Sequence, residues 1–248
     1  MRLALRVFRC TPGTAGGDGA HRWQAYEVEA GADTTVLDAL VAIQREQDPT
    51  LAFRWACRVG MCGSCAMVVN GRERWACRMR VHDLGRVTLR VRPLYHFPVL
   101  RDLVVDMAPF NARLRAVDGA FRPRAGADSY ALVPGGGAER RAIDVAIECI
   151  GCGMCLSACT MVAHDPRFPG PAALNRAFTL QRDSREGGAE ERWPLLLDED
   201  ALTRCHGQGT CTDVCPMGLS PTDSILKLRR AAVRRAVGIP RGRRPREG

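Results

Sequence analysis

Cys149-Ile-Gly-Cys152-Gly-Met-Cys155-Leu-Ser-Ala-Cys159 decides how this 248-residue chain is read. Its spacing is C-x2-C-x2-C-x3-C, in which three close thiolates hold corners of one iron-sulfur cluster and the fourth cysteine serves a second cluster. One such run needs a distant partner. The partner stands downstream as Cys205-His-Gly-Gln208-Gly-Thr-Cys211-Thr-Asp-Val-Cys215-Pro216, the same pattern with its second cysteine replaced by Gln208. If Cys215 completes the site of Cys149, Cys152 and Cys155, then Cys159 crosses the other way to join Cys205 and Cys211. Four thiolates make a [4Fe-4S] site, and three indicate [3Fe-4S]. Zinc fits less well, because structural zinc takes four ligands in a closed tetrahedron and the cysteines of these two runs do not divide into fours. Disulfides fit less well too: such close neighbours cannot be bridged without strain, and the chain has neither the size nor the leader of a small secreted scaffold.

Working outward, Cys57-Arg-Val-Gly60-Met-Cys62-Gly63-Ser-Cys65 with a remote Cys77 has the C-x4-C-x2-C spacing of a plant-type [2Fe-2S] site. Gly60 and Gly63 allow the backbone to wrap closely, since glycine takes positive φ without cost. Asn70-Gly71 is a hairpin signal that sets Val69 opposite Arg72 and Cys65 opposite Ala76, delivering Cys77 to the other thiols. Upstream, Leu3, Leu5 and Val7 alternate with Arg2, Ala4 and Arg6. Trp23, Tyr26 and Val28 mark a second extended run, so a hairpin is expected around a Gly-rich turn, Pro12 to Gly19. Thr34 and Thr35 offer caps to a helix bearing Val36, Leu37, Leu40, Val41 and Ile43 and closed by Asp48-Pro49. Val87 to Val91 reads as the last strand of this part. Pro93 and Pro98, with Tyr95 and Phe97, lead stiffly into an apolar pattern of Leu100, Leu103, Val104 and Met107 that predicts a helix.

The expected fold class is α+β: an N-terminal β-grasp plant-type ferredoxin domain over 1–105, an all-helical bacterial ferredoxin domain over 106–240, and a basic tail over 241–248. Residues 119–137, rich in Gly, Pro and Arg, read as an exposed loop. Helical segments are expected over Arg140–Ile147 and over Pro171–Gln181, the latter opened by proline and broken by Gly187-Gly188. Asp198 to Leu202 precedes Cys205, and Ser220-Pro221 starts a last helix carrying Ile225, Leu228 and Val233. In this half the clusters are expected to supply much of the folding energy. The net charge is +9 and almost wholly arginine. Such charge suits nucleic acid, an anionic membrane surface or an acidic partner. Arg229 to Gly248 has no aromatic residue for base stacking, so nucleic acid is not expected, and the arginines from Arg229 to Arg246 read as a solvated tail. No apolar run approaches the ~20 residues of a membrane span. The opening Met1-Arg-Leu-Ala-Leu-Arg is too short and charged for a signal segment, so a cytoplasmic location is expected.

Several stretches carry a resemblance: Thr35-Val-Leu-Asp-Ala-Leu, Cys57 to Cys65 with Ala66-Met67 and Asn70-Gly71, Phe97-Pro-Val-Leu-Arg-Asp-Leu-Val-Val-Asp-Met107, the three cysteine blocks, Gly170-Pro-Ala-Ala, Asp183-Ser-Arg185 and Cys215-Pro-Met-Gly-Leu. Over essentially its full length the chain resembles the iron-sulfur subunit of succinate dehydrogenase and fumarate reductase. The resemblance implies [2Fe-2S] on Cys57, Cys62, Cys65 and Cys77, [4Fe-4S] on Cys149, Cys152, Cys155 and Cys215, and [3Fe-4S] on Cys159, Cys205 and Cys211. Cys10 is left as an ordinary thiol. It also implies an electron-transfer role with no residue catalytic towards the dicarboxylate, a FAD-containing flavoprotein subunit as partner, and a quinone at the interface with one or more membrane-anchor subunits. The chain would then lie peripherally on the cytoplasmic face of the inner membrane. Thr160, His164 and His206 are implied near the quinone, although Thr160 stands where the family usually has proline and His164 where many succinate dehydrogenases have tryptophan. Gln208 replaces a usually apolar residue and Met217 a common lysine. Either succinate oxidation or fumarate reduction fits; the alternative is a related flavoprotein reductase with a non-quinone donor or acceptor.

Overall fold

The computed structural model describes residues 1–11, 21–85, 88–124 and 132–238. β1 (Arg2–Cys10) and β2 (His21–Glu29) pair antiparallel, with Leu3 opposite Val28 and Leu5 opposite Tyr26. The alternation places Leu3, Leu5 and Val7 in the core; the expected turn from Pro12 to Gly19 lies outside the described residues. Thr35 caps α1 (Val36–Glu46) through a capping box: its Oγ1 accepts from Asp38 N at 3.1 Å, and its own N–H donates to Asp38 Oδ2 at 3.1 Å. Such a cap is worth about 1 kcal/mol. β3 (Ala66–Val69) and β4 (Arg72–Trp75) fold about Asn70 and Gly71, whose φ values of 52° and 80° are those a tight hairpin turn demands. Val69 pairs with Arg72 as the turn chemistry required. β5 (Thr88–Arg92) runs parallel to β1 and antiparallel to β3, giving the sheet order β2-β1-β5-β3-β4. The apolar stripe of α1 shares one core with this mixed sheet, a β-grasp.

The helix expected over Leu100 to Met107 does not form. Instead β6 (Val99–Arg101) and β7 (Val104–Val105) make a small hairpin, and α2 (Ala108–Ala116) begins only after it. A short apolar run cannot distinguish the two periods, and a buried carboxylate decides between them. Asp102, at the turn with φ 46°, accepts from Arg9 Nε and Cys10 N at 2.9 Å through Oδ1 and from Ala52 N at 2.9 Å through Oδ2. Aspartate tolerates the left-handed conformation because its short polar side chain can bond locally. Arg9 is itself buried, with Nη1 donating to Tyr26 Oη at 2.5 Å and to Asp48, and Nη2 donating to Thr50 Oγ1 at 2.8 Å. Two carboxylates thus surround one guanidinium, which offsets the desolvation of all three. The Thr50 and Tyr26 hydroxyls and Arg9 hold the Asp48 carboxyl well below its ordinary range, while burial and Asp48 push the Tyr26 hydroxyl up to about 12.

The second half comprises α3 (Ala138–Ile143), α4 (Met154–Ser157), α5 (Thr160–His164), α6 (Gly170–Arg182), α7 (Trp193–Leu197), α8 (Thr210–Asp213) and α9 (Pro221–Ala236). It has an apolar core of its own, in which Leu174, Ala177, Leu196 and Ile225 are fully buried beside Phe168 and Trp193. Burying a large apolar side chain stabilises by about 1.5–3 kcal/mol, so packing in this half adds to the folding energy that the clusters are expected to supply. Val68, Leu94, Phe97 and Val105 from the first half pack into the same core. The last helix forms as expected, with Ile225 and Leu228 buried and Val233 exposed. One further expectation changes. Arg229 is not part of a solvated tail: its guanidinium donates to the carbonyls of Leu202 at 2.8 Å, Thr203 at 3.0 Å and Cys205, tying α9 to the segment that carries Cys205. The tail over 241–248, and 125–131 of the expected loop, lie outside the described residues. Among the described residues no helix is long and apolar enough to cross a membrane.

Asp102→Ala should lower the thermal unfolding midpoint through a loss of about 3–5 kcal/mol, the usual result of stranding one partner of a buried ion pair; Asp102→Asn, which suits the turn, should cost less. The contribution of Asp48 should be complete above its unfolded pKa of about 3.9 and lost as pH falls through its lower folded value. Asp48→Asn should therefore flatten the acid limb of stability against pH, measured by circular dichroism.

Candidate iron-sulfur centres

The loop between α1 and β3 builds the first site. Cys57 Sγ accepts from the backbone N–H of Met61 at 3.2 Å and of Cys62 at 3.3 Å. With the Val59 amide contributing most, these donors pull the Cys57 thiol down to about 6, towards the thiolate that iron binds. The β3–β4 hairpin brings Cys77 up as its register demands, and Ala76 N donates to Cys65 O at 3.2 Å. Cys65 and Cys77 are buried, and burial first, then Cys77, push the Cys65 thiol up to about 12. A buried thiolate needs a countercharge, and a coordinating metal supplies one outright.

The second site is a cavity lined by Cys149, Cys152, Cys155 and Cys215, under Phe110 and beside Asn175. Burial pushes the Cys152 thiol up to about 12 and the Cys155 thiol well above its ordinary value, with neighbouring thiols adding to both. Asn175 was missed from the sequence. Its Nδ2 donates to Ala146 O at 2.8 Å and its Oδ1 accepts from Ser224 Oγ at 2.8 Å, so one buried amide joins α6, α9 and the segment entering Cys149. Its place amid the apolar residues of α6 was the available signal, since a buried amide must find partners.

The third site is a separate cavity lined by Cys159, Cys205 and Cys211 together with Thr160, His206 and Gln208. Cys211 Sγ lies 3.2 Å from Thr222 Oγ1 on α9. Of the three residues expected near a quinone, Thr160 lines both this cavity and a larger open cleft, His206 lines only the cavity and His164 only the cleft. The cleft also takes in Glu73, His96 and Ser157. Ser157 joins the two halves, donating to Glu73 Oε1 at 2.6 Å and accepting from Tyr95 N at 2.9 Å.

The sites adjoin. A Cβ on Gly63, whose φ is +72°, would stand 2.7 Å from the Cys152 Cβ, so the first loop touches the second site. Cys155 and Cys159, on and just after α4, serve the second and third cavities from a single turn of chain. Among the described residues no three His, Cys, Asp or Glu side chains converge so as to hold a metal ion. Thiols spread around a cavity suit a cluster that brings its own sulfides and offers a different iron to each ligand. Donor chemistry and layout therefore fit iron-sulfur clusters.

Comparison with known proteins agrees with this chemistry. Residues 4–112 match the 2Fe-2S iron-sulfur cluster binding domain family and residues 145–219 the 4Fe-4S dicluster domain family. The chain is 37% identical to a fumarate reductase iron-sulfur subunit of Mycobacterium tuberculosis over 240 residues, covering 95% of each chain. It is 35% identical to that of Escherichia coli over 227 residues, covering 90% of each. A chain of the Mycobacterium smegmatis Sdh1 complex in the apo form superposes with a TM-score of 0.84 at 29% identity, covering 95% of this chain and 97% of that one.

Gly63→Ala should be strained by its backbone, at about 1–3 kcal/mol, and should press the first loop away from Cys152. The expected result is a lower melting midpoint with weakened magnetic coupling between the first two centres; unchanged coupling would separate the glycine from their spacing.

Proposed function

Because the chain belongs to the iron-sulfur subunits of the succinate dehydrogenase and fumarate reductase family, we propose that it carries electrons between a FAD-bearing subunit, which interconverts succinate and fumarate, and a quinone held against a membrane anchor. In this reading Cys57, Cys62, Cys65 and Cys77 hold [2Fe-2S], Cys149, Cys152, Cys155 and Cys215 hold [4Fe-4S], and Cys159, Cys205 and Cys211 hold [3Fe-4S]. Such clusters accept and release single electrons at potentials set by type, charge, hydrogen bonds and exposure. The observation that carries the reading is the adjacency of the three thiol groups. Gly63 lets the first loop rest on Cys152, and the turn from Cys155 to Cys159 joins the second site to the third. The hydride chemistry stays with the partner's flavin; this chain's residues set distance and potential.

Each residue then has a physical task. Amides at Val59, Met61 and Cys62 place partial positive charge on the Cys57 sulfur and favour the reduced, more negative state of that site. Phe110 and α6 line the second site and leave Cys152 and Cys155 only partly exposed, where a lowered dielectric strengthens charge interactions. Ser157 and Glu73 fasten the halves so that the gap between first and second sites stays fixed. In this reading Thr160 and His164, on the open cleft, and His206, beside the third cavity, would face the quinone. The chain would sit peripherally on the cytoplasmic face of the inner membrane.

The anaerobically purified complex should show three distinguishable paramagnetic centres, and iron at about half the complement of three clusters would refute the ligand assignment. Gln208→Cys should supply a fourth thiolate to the third site and lower its potential by moving it towards [4Fe-4S]; an unchanged low-temperature spectrum would count against the three-thiol reading.

A further inference from the structure

Gln208 occupies the position at which the second run lacks a cysteine, and its side chain is engaged. Thr160 Oγ1 donates to Gln208 Oε1 at 2.7 Å, and Thr210 Oγ1 donates to Ala158 O at 3.1 Å. These bonds pair 160 with 208 and 158 with 210, forming two rungs that lie either side of Cys159 and Gly209. They join the stretch bearing Cys159 to the loop bearing Cys205 and Cys211 through side chains, without any thiolate. Thr160, Gln208 and Thr210 all line the three-thiol cavity. Gln208 and Thr160 are exposed at its mouth, so the corner without a cysteine opens where ions and water arrive.

An amide oxygen is a hard donor that ferrous iron accepts, as it accepts water or carboxylate. A three-iron site with a loose glutamine beside its empty corner would therefore be prone to gain iron. We propose that the Thr160–Gln208 clasp makes this site selective for three irons: it commits the glutamine oxygen to a hydroxyl and pins the side chain across the mouth, so that the glutamine offers no ligand to a fourth iron and fills the corner where a water ligand would enter. The proposal rests on the reading of Cys159, Cys205 and Cys211 as a three-iron site and adds what guards its vacant corner. The reaction suppressed is [3Fe-4S]0 + Fe2+ → [4Fe-4S]2+, in which the cluster, first reduced by one electron from added dithionite, takes up ferrous iron with no further change of electron count. The incoming iron would bind three cluster sulfides and one external oxygen.

The test uses the intact purified complex, with Thr160→Val to remove the hydroxyl at constant shape, Thr160→Ser to restore it, and Thr160→Val combined with Gln208→Leu to remove the oxygen ligand as well. Each is incubated anaerobically with dithionite and excess Fe2+ and freed of unbound iron. It is then read by iron content and by low-temperature electron paramagnetic resonance on two portions: one reoxidised anaerobically with a mild quinone oxidant for the three-iron signal, and one left reduced, whose [2Fe-2S] signal measures intact protein. Wild type and Thr160→Ser should keep the oxidised three-iron signal. Thr160→Val should lose it several-fold faster and gain iron, while the double variant should resist like wild type. Conversion of Thr160→Val at the wild-type rate, with its [2Fe-2S] signal intact, would overturn the clasp. Conversion of the double variant as fast as Thr160→Val would also overturn it, since the glutamine oxygen would then not be the ligand withheld. A wild type without any three-iron signal would instead refute the underlying assignment, and the clasp with it.

Discussion

Buried sulfur governs this structure. Thiols at Cys65, Cys152, Cys155 and Cys211 lie in surroundings that push their ionisation up, yet a metal ligand must be the thiolate. The two facts are reconciled only by a cation strong enough to outweigh desolvation. Backbone amides perform part of that work at Cys57, and at the second site the amides of Gly151 and Met154 do the same for Cys149 and Cys152, although burial outweighs them there. Iron binding there would release protons and so depend on pH.

Around the sulfur sites, the polypeptide is fastened by means independent of metal. Arg9 and Asp102 bind β1 to the β6–β7 hairpin, Ser157 and Glu73 bind the sheet to α4, Asn175 and Ser224 bind α6 to α9, and Arg229 holds the carbonyls ahead of Cys205. Each is a buried or half-buried polar group whose partners come from distant sequence, and such groups are costly when unpaired, so they enforce one arrangement. An apolar core shared by residues of both halves completes the frame. The distance an electron must cross is thereby set by packing as much as by the clusters.

Position also explains how unlike sites arise from one motif. The second and third cavities derive from the same cysteine spacing, but four thiols line the second, whereas the third is lined by three thiols and by the exposed Thr160 and Gln208.

Cysteine spacing by itself determined that this chain binds iron-sulfur clusters, because a ligand set must satisfy a fixed metal geometry and few spacings do. Hairpin and capping residues likewise made the β-grasp legible: Asn70-Gly71 signals a tight turn, and Thr34 and Thr35 signal a helix start, of which the structure uses Thr35. Local pattern failed at Leu100 to Met107, where Asp102 forms a hairpin through partners at Arg9, Cys10 and Ala52 that no window of sequence contains. It failed also at Arg229 and Asn175, whose roles consist of bonds to remote carbonyls and hydroxyls. Tertiary structure alone decided that the first loop rests on Cys152 at Gly63 and what faces Gln208, since these depend on the approach of segments far apart in the chain.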